Sequence, residues 1–417
     1  MGPLVNRDAV QVIIRRTMKN FSSYVNKVIK FRFCGKDLSF SLSHGLFSSF
    51  DVDEGTRLLL KGIAQQVDLE STGSCLDVGC GVGVIGLCIR GRLPQAAVVM
   101  QDRDALAAAF AAENGRENGL VGVEVQCVLA FHGLEGRLFD LVTANLPAKA
   151  GQPVLEAFLR NIGAFLTPRG VAAIVVVAPL VPFTLSTLKA LGCRIVHSEI
   201  TKKHTALHFR PGEPSSAGSL PPPDLAPYIR GRQAFSAPEV SYEIETAWSL
   251  PDFDTLGYSL SLSFDALRVQ PVKGELLVWN PGQGHIAAYL LRRHARAISG
   301  ISLASRDSLE LEITRRNLQT FGREPRVAGP APSEIGLLDI LPPASVDFLV
   351  ASPHPIPRVP WQTEMAEAAA VLVKPGGFLF VVTTSTEAHR FLDDLHGWRL
   401  VESRKQLGHR ALLLKRQ

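Results

Sequence analysis

A buried, strand-like run opens into a glycine turn at Cys75-Leu76-Asp77-Val78-Gly79-Cys80-Gly81-Val82-Gly83, and the chain repeats the plan at Leu277-Val278-Trp279-Asn280-Pro281-Gly282-Gln283-Gly284-His285-Ile286. A constant spacing of 203 residues pairs Asp77 with Asn280, Asp102 with Ser305 and Asn114 with Asn317. Self-similarity on the scale of a whole domain signals duplication, because solenoid repeats recur every ~20 to 50 residues. In this register the second copy lacks the acid and the third glycine, whose place falls to Ile286. One working site and one retired copy are therefore expected.

The 417 residues suffice for two domains that each bury a core. Strand-like and helix-like segments alternate from Cys75 to Ala178, the pattern of an α/β fold with a mostly parallel, doubly wound sheet. The expected organisation is a basic amphipathic helix over 1–30, a first domain over 31–210, a proline-, serine- and glycine-rich linker over 211–232 and a second domain over 233–417. Lys30 to Ser43 reads as a hairpin turning at Cys34-Gly35.

Net charge is a mild +5, but Arg7, Arg15, Arg16, Lys19, Lys27, Lys30, Arg32 and Lys36 face only Asp8 and Asp37. That asymmetry fits a polyanion partner or a solvated helix face. All six cysteines lie in the first half, none in a CxxC pair, which points to buried thiols in a reducing compartment and not to a metal site. The longest apolar stretch, Val171 to Phe183, is too short to span a bilayer and carries Pro179 and Pro182. With no secretory signal read at the start, a cytoplasmic location without membrane contact is expected.

Two constellations carry chemistry. The first is Asp77 with Gly79, Gly81 and Gly83, followed by Asp102 at the end of the next strand, where a carboxylate can accept both hydroxyls of a ribose. Alone, such glycines fit a plain strand-to-helix turn or a dinucleotide site equally well. The second is Asn145-Leu146-Pro147-Ala148-Lys149, at the carboxyl end of a strand, where open α/β sheets bind substrate. The amide oxygen of Asn145 and the carbonyl of Leu146 can accept the two hydrogens of an exocyclic amine while Pro147 stiffens the turn; a polar loop is the plain alternative. Lys149 either holds a phosphate or extends into water.

Residues 31 to 210 resemble the "methyltransferase small" domain of S-adenosylmethionine-dependent enzymes, above all the tandem ribosomal RNA guanine-N2 methyltransferases. Gly45-Leu46-Phe47-Ser48 with Asp53-Glu54-Gly55-Thr56 carries the likeness, together with Leu76 to Gly86, Asn114, Asn118-Gly119-Leu120, and Phe139-Asp140-Leu141-Val142 leading to Asn145. The resemblance implies two tandem Rossmann-like domains paired within one chain, S-adenosylmethionine as cofactor and RNA as partner. It assigns Asp77, Gly79, Gly81, Gly83 and Asp102 to the cofactor, Asn145, Leu146 and Pro147 to catalysis, and Ala148 and Lys149 to the substrate. The chain departs from the family in three ways. Ala148 stands where an aromatic would stack on a base, Ala130-Phe131-His132 replaces the usual acid near the adenine, and the degenerate copy comes second. A protein or small-molecule amine as acceptor, a cofactor-binding scaffold and a nicotinamide oxidoreductase are the competing readings.

Overall fold

The computed structural model describes residues 20–212, 224–393 and 395–417, and Tyr24–Tyr228 forms one compact unit while Ile229–Gln417 lies in a second. The first unit opens on an antiparallel hairpin, β1 (Lys27–Phe33) and β2 (Lys36–Leu42), with Phe33 opposite Lys36. Its turn residues Cys34 and Gly35 both take positive φ, 44° and 81°. Such a two-residue turn matches the right-handed twist of the strands.

Then follow α1 (Glu54–Gln66), β3 (Ser74–Val78), α2 (Val84–Arg92), β4 (Ala97–Asp102), α3 (Ala105–Glu117), β5 (Val123–Cys127), β6 (Phe139–Asn145), α4 (Gln152–Asn161), β7 (Leu166–Val177), α5 (Val181–Ala190), β8 (Arg194–Ile200) and β9 (His204–Arg210). The seven strands lie in the order β5-β4-β3-β6-β7-β9-β8, parallel except for the antiparallel β9 and β8 end. Helices cover both faces, which is why Leu76, Val99, Val142 and Ile174 sit in strands that are apolar on either side. The order reverses at β3, so the carboxyl ends of β4, β3 and β6 meet at a switch point, the crevice where such sheets bind ligands.

The second unit repeats the plan with β10 (Ile229–Ala237), β11 (Val240–Ala247), α6 (Tyr258–Leu267), β12 (Gly274–Trp279), α7 (His285–His294), β13 (Ile298–Ser305), α8 (Ser308–Thr320), β14 (Arg326–Pro330), α9 (Leu337–Ile340), β15 (Val346–Ala351), α10 (Trp361–Leu372), β16 (Val373–Thr384), α11 (Ser385–Asp393), β17 (Trp398–Gln406) and β18 (His409–Arg416). Its sheet order, β14-β13-β12-β15-β16-β18-β17, is the same. Internal hydrogen bonds are duplicated too. Asn114 joins Ser41 of the hairpin to the carbonyl of Val82 in the glycine turn, and Asn317 joins Glu245 to Gln283.

The pairing of Asn114 with Asn317 thus keeps the expected spacing, but the glycine turn does not. Val78 neighbours Ala144 and Gln101, while the residue with the matching neighbours, Ala351 and Ala304, is Trp279. Val278 therefore replaces Asp77, and Asn280 stands opposite Gly79. Gly284, at φ 91°, begins α7 as Gly83, at φ 89°, begins α2, so the third glycine is retained. The copies slip by two residues between the turn and β4.

The expected N-terminal helix is also corrected at its end. Only Phe21–Tyr24 of its described part is helical, and Lys27–Ile29 belongs to β1, where Ile29 is buried opposite Phe40. The β-branched pair Val28-Ile29 gains more from cross-strand packing than from continuing a helix. The start of that segment and residues 213–223 of the expected linker lie outside the described residues. Regular structure resumes with a 3-10 turn at Ala226–Tyr228 and β10 at Ile229, inside the stretch read as linker. No helix among the described residues is long and apolar enough to cross a membrane.

Candidate active site

Asp77, next to last in β3, is fully buried, with Oδ1 accepting the hydroxyl of Thr143 at 2.9 Å and Oδ2 accepting the N–H of Gly86 at 3.0 Å. It therefore shapes the site from beneath, tying the first turn of α2 to β6. Burial pushes its carboxyl up to about 7, against the hydrogen bonds from Thr143 and Gly86. Gly86 has to be glycine here, since a Cβ would come within 2.6 Å of Met100 Sδ and 3.3 Å of Asp77 Oδ2. Gly86→Ala is expected to destabilise the first domain by about 1–3 kcal/mol, the usual cost of overpacking a filled core. Chemical denaturation of wild type and variant checks this.

Above Asp77 the turn is held to β4. The N–H groups of Gly79 and Cys80 donate to the Gln101 carbonyl at 2.8 and 3.0 Å, and Gly81 N donates to Asp102 Oδ2 at 2.9 Å. Gly79 and Gly81 take φ of 70° and 55°, and a Cβ on either would meet nothing within 4 Å. The turn thus offers bare backbone to open space. Asp102 Oδ1 accepts the Asp104 N–H at 2.9 Å, so each oxygen of Asp102 is fixed by one backbone donor. A carboxylate has about four acceptor positions, leaving roughly two for a ligand. Burial, with Asp104 adding, pushes Asp102 up to about 6. Asp104 caps α3 through the N–H of Leu106, as its place before the helix suggests.

Asn145 ends β6, two strands from Asp102 and so roughly 10 Å away across the sheet edge. Its Nδ2 donates to Asp53 Oδ1 and Oδ2 at 3.2 and 3.3 Å and to Thr56 Oγ1 at 3.1 Å. Asp53 caps α1, accepting the Thr56 N–H at 3.0 Å and the Thr56 hydroxyl at 2.6 Å. Chemistry settles which way the amide points, because an amide oxygen turned toward Asp53 would face a carboxylate that can only accept. Asn145 Oδ1 therefore points the other way and accepts no hydrogen bond from any described residue. Leu146 is buried while Pro147, Ala148 and Lys149 are exposed, and Ala150 N donates to the Pro147 carbonyl at 3.3 Å. Asp53 and Thr56 are site residues that residue-by-residue reading missed. The one signal was an acid three residues before a threonine at a helix start.

In the second domain Ser305, in the place of Asp102, sits in a hydrogen-bond network with Glu310 and Asn280. Glu310, only 3% exposed, accepts the Gly282 N–H at 3.2 Å and the Ser305 hydroxyl at 2.8 Å, and Asn280 Oδ1 accepts the Arg306 N–H at 3.0 Å. Keeping the 203-residue spacing of β4 and β13, the residue equivalent to Glu310 is Ala107. The buried Ala107 therefore brings no carboxylate to the first turn, where the second turn has Glu310. Ser352 stands in the place of Asn145 and offers no amide.

The sequence model of the methyltransferase small domain matches residues 37–191 and so covers the first copy alone. YbxB, an uncharacterized protein of Bacillus subtilis, is 31% identical over 147 residues, 35% of this chain and 72% of its own length. Ribosomal RNA small subunit methyltransferase C of Haemophilus influenzae is 41% identical over 107 residues, 26% of this chain but 31% of that protein. The match therefore spans about a third of that relative's length. Among solved structures, the Thermus thermophilus 16S rRNA N2 G1207 methyltransferase, RsmC, in complex with AdoMet and guanosine, superposes with a TM-score of 0.63. That superposition covers 95% of this chain and 99% of that one at 17% identity, a likeness of fold that runs through both domains.

Proposed function

Because the chain belongs to the methyltransferase small-domain family, we propose that its first domain transfers a methyl group from S-adenosylmethionine to an exocyclic amine of RNA, with guanine N2, the acceptor named for the Thermus thermophilus enzyme of similar fold, as the atom methylated. The observation that carries this reading is the pairing of an open, Cβ-free turn beside Asp102 with an amide oxygen aimed away from its own protein contacts. Gly79 and Gly81 allow close approach of the cofactor's amino-acid part, Gly83 instead lets α2 start against Leu87 and Ala111, and Asp102 accepts the ribose hydroxyls. When bound, the cofactor supplies an electrophilic methyl on a sulfonium.

The protein's part is orientation. Asn145 Oδ1 and the Leu146 carbonyl accept the two amine hydrogens, which directs the nitrogen lone pair along the line of attack. With its methyl accepted, the amine would carry one extra proton, which no side chain need remove because solvent can take it. Most of the gain then comes from placement and from hydrogen bonds to the nucleophile, with no strong base required. The second copy has no cofactor role in this reading.

Methyl-labelled cofactor incubated with total RNA, followed by nucleoside digestion and mass spectrometry, tests it. Label in N2-methylguanosine is the expected result; label in protein or in small amines alone would replace RNA as the acceptor. Asp53→Asn probes the orientation of Asn145 separately. It keeps the helix cap but lets the amide of Asn145 turn over, so turnover is expected to fall roughly tenfold, the equivalent of one modest hydrogen bond. Cofactor affinity should be unchanged. Equal loss of both would make Asp53 a structural residue only.

A further inference from the structure

Ala148 leaves the Asn145 loop without an aromatic, yet phenylalanine is displayed on the other wall of the same site. Of 21 phenylalanines in the chain, Phe47 and Phe50 are the only ones exposed among the described residues, at 75% and 62%. Both lie in the loop from β2 to α1, and that loop is tied to the site. Ser48 Oγ reaches Asp53 Oδ2 at 3.4 Å, and Asp53 in turn holds Asn145. Asn26 Nδ2 and Lys27 Nζ donate to the carbonyls of Ser49 and Phe50 at 2.9 and 3.2 Å, and His44 packs edge-on to Phe50 at 5.4 Å. The rings are therefore held out on an anchored loop.

Leaving a phenylalanine in water forgoes the gain of burial, so two together need a reason. The second domain shows that the loop does not require it. Between β11 and α6, Trp248 and Phe253 close on the Arg230 guanidinium, at 4.7 and 3.9 Å from the ring centroids, and Asp254 accepts from the same arginine at 2.6 Å. In that connection Trp248 and Phe253 are half-buried on Arg230, whereas Phe47 and Phe50 have no such cover. The β1–β2 hairpin carries exposed Lys27, Lys30 and Lys36, of which Lys27 reaches the Phe50 carbonyl, Lys30 points to the other face of β1 and Lys36 lies at the turn. Aromatic faces next to exposed cations suit a single-stranded nucleic acid, whose bases stack and whose phosphates pair.

We propose that Phe47 and Phe50 form the stacking platform for the methyl acceptor, supplying from the β2–α1 loop the aromatic contact absent at Ala148, while the hairpin lysines hold the flanking phosphates. This rests on the RNA methyltransferase reading above and makes the acceptor a splayed-out base of a single strand. Both side chains are exposed, so their removal should leave the fold intact, as an unchanged melting temperature will show.

Fluorescence anisotropy with an end-labelled, guanosine-containing single-stranded RNA tests the platform. The double variant Phe47→Ala/Phe50→Ala is expected to bind it roughly ten- to a hundredfold more weakly. Phe47→Trp/Phe50→Trp should bind as wild type does, and S-adenosylmethionine titrations should coincide for all three. Lys27→Gln/Lys30→Gln should instead flatten the salt dependence, by about one unit of slope per lost phosphate contact, without altering base preference. Wild-type affinity in the double alanine variant overturns the platform and leaves the methyltransferase reading standing. A wild-type protein that binds S-adenosylmethionine but no RNA overturns the RNA acceptor, and the platform with it.

Discussion

Asn145→Ala will titrate with S-adenosylmethionine as the parent protein does and will transfer methyl groups about a hundred- to a thousandfold more slowly, the range seen when one preorganised hydrogen-bonding group is removed from a reacting centre. The separation of the two effects follows from the sheet. Asn145 ends β6 and the cofactor turn ends β3, so deleting the amide disturbs neither the Gly79 and Cys80 bonds to Gln101 nor the Gly81 bond to Asp102. Asn145→Asp gives a second, more discriminating outcome. It restores an acceptor oxygen but sets a carboxylate at the 3.2–3.3 Å now occupied by Nδ2 against Asp53. Two carboxylates at that distance share a proton, which raises one pKa strongly. At saturating S-adenosylmethionine, activity of this variant relative to wild type should therefore recover as pH falls, whereas that of the alanine variant stays flat. Equal activity of wild type and Asn145→Ala in single-turnover assays would remove the loop from the reaction.

How far this site could be read beforehand depended on the range of the interactions involved. The glycine turn, Asp77 and Asp102 lie within a single strand–helix–strand unit, where local chemistry dictates the fold, so their placement in strand and turn was legible. The contact of Asn145 with Asp53 joins residues 92 apart and depends on how α1 settles against the sheet. Nothing in either segment alone announces it. The two-residue slip between the copies was hidden for another reason. Glycine recurs at every second position of the turn, so a shift of two still lays glycine on glycine, and strand alternation has the same period of two. Only strand pairing and the matching φ of Gly83 and Gly284 choose between the registers. The slip exchanges the partner of Asp77 from Asn280 to Val278, and so Asn280, freed from that comparison, is seen as part of the Ser305–Glu310 hydrogen-bond network. The second turn thus differs from the first by the polar network it carries as much as by the missing acid.

Asp102→Ala is expected to abolish most S-adenosylmethionine binding, and Asp102 should make that binding pH-dependent. Hydrogen bonds to a charged group contribute about 1.5–3 kcal/mol each, so losing two from a ribose lowers affinity at least a hundredfold. Part of the loss comes through the turn, because Gly81 N and Asp104 N lose their acceptor with the carboxylate. Asp102→Asn retains one oxygen and so isolates the charge. With burial pushing Asp102 up to about 6, the group is neutral below that pH and ionised above it. The ionised form accepts both hydroxyls, so affinity in calorimetric titrations should climb between about pH 5 and 7 in wild type and stay level in Asp102→Asn. Stability of the ligand-free protein should run in the opposite sense. Asp77 and Asp102 hold their protons more tightly folded than unfolded, so their contribution to stability is present at low pH and is lost as pH rises through about 6 to 7. Affinity rising while ligand-free stability falls over one pH window is a signature that a general loosening of the fold cannot produce. Parallel trends in the two quantities would place the titrating group elsewhere.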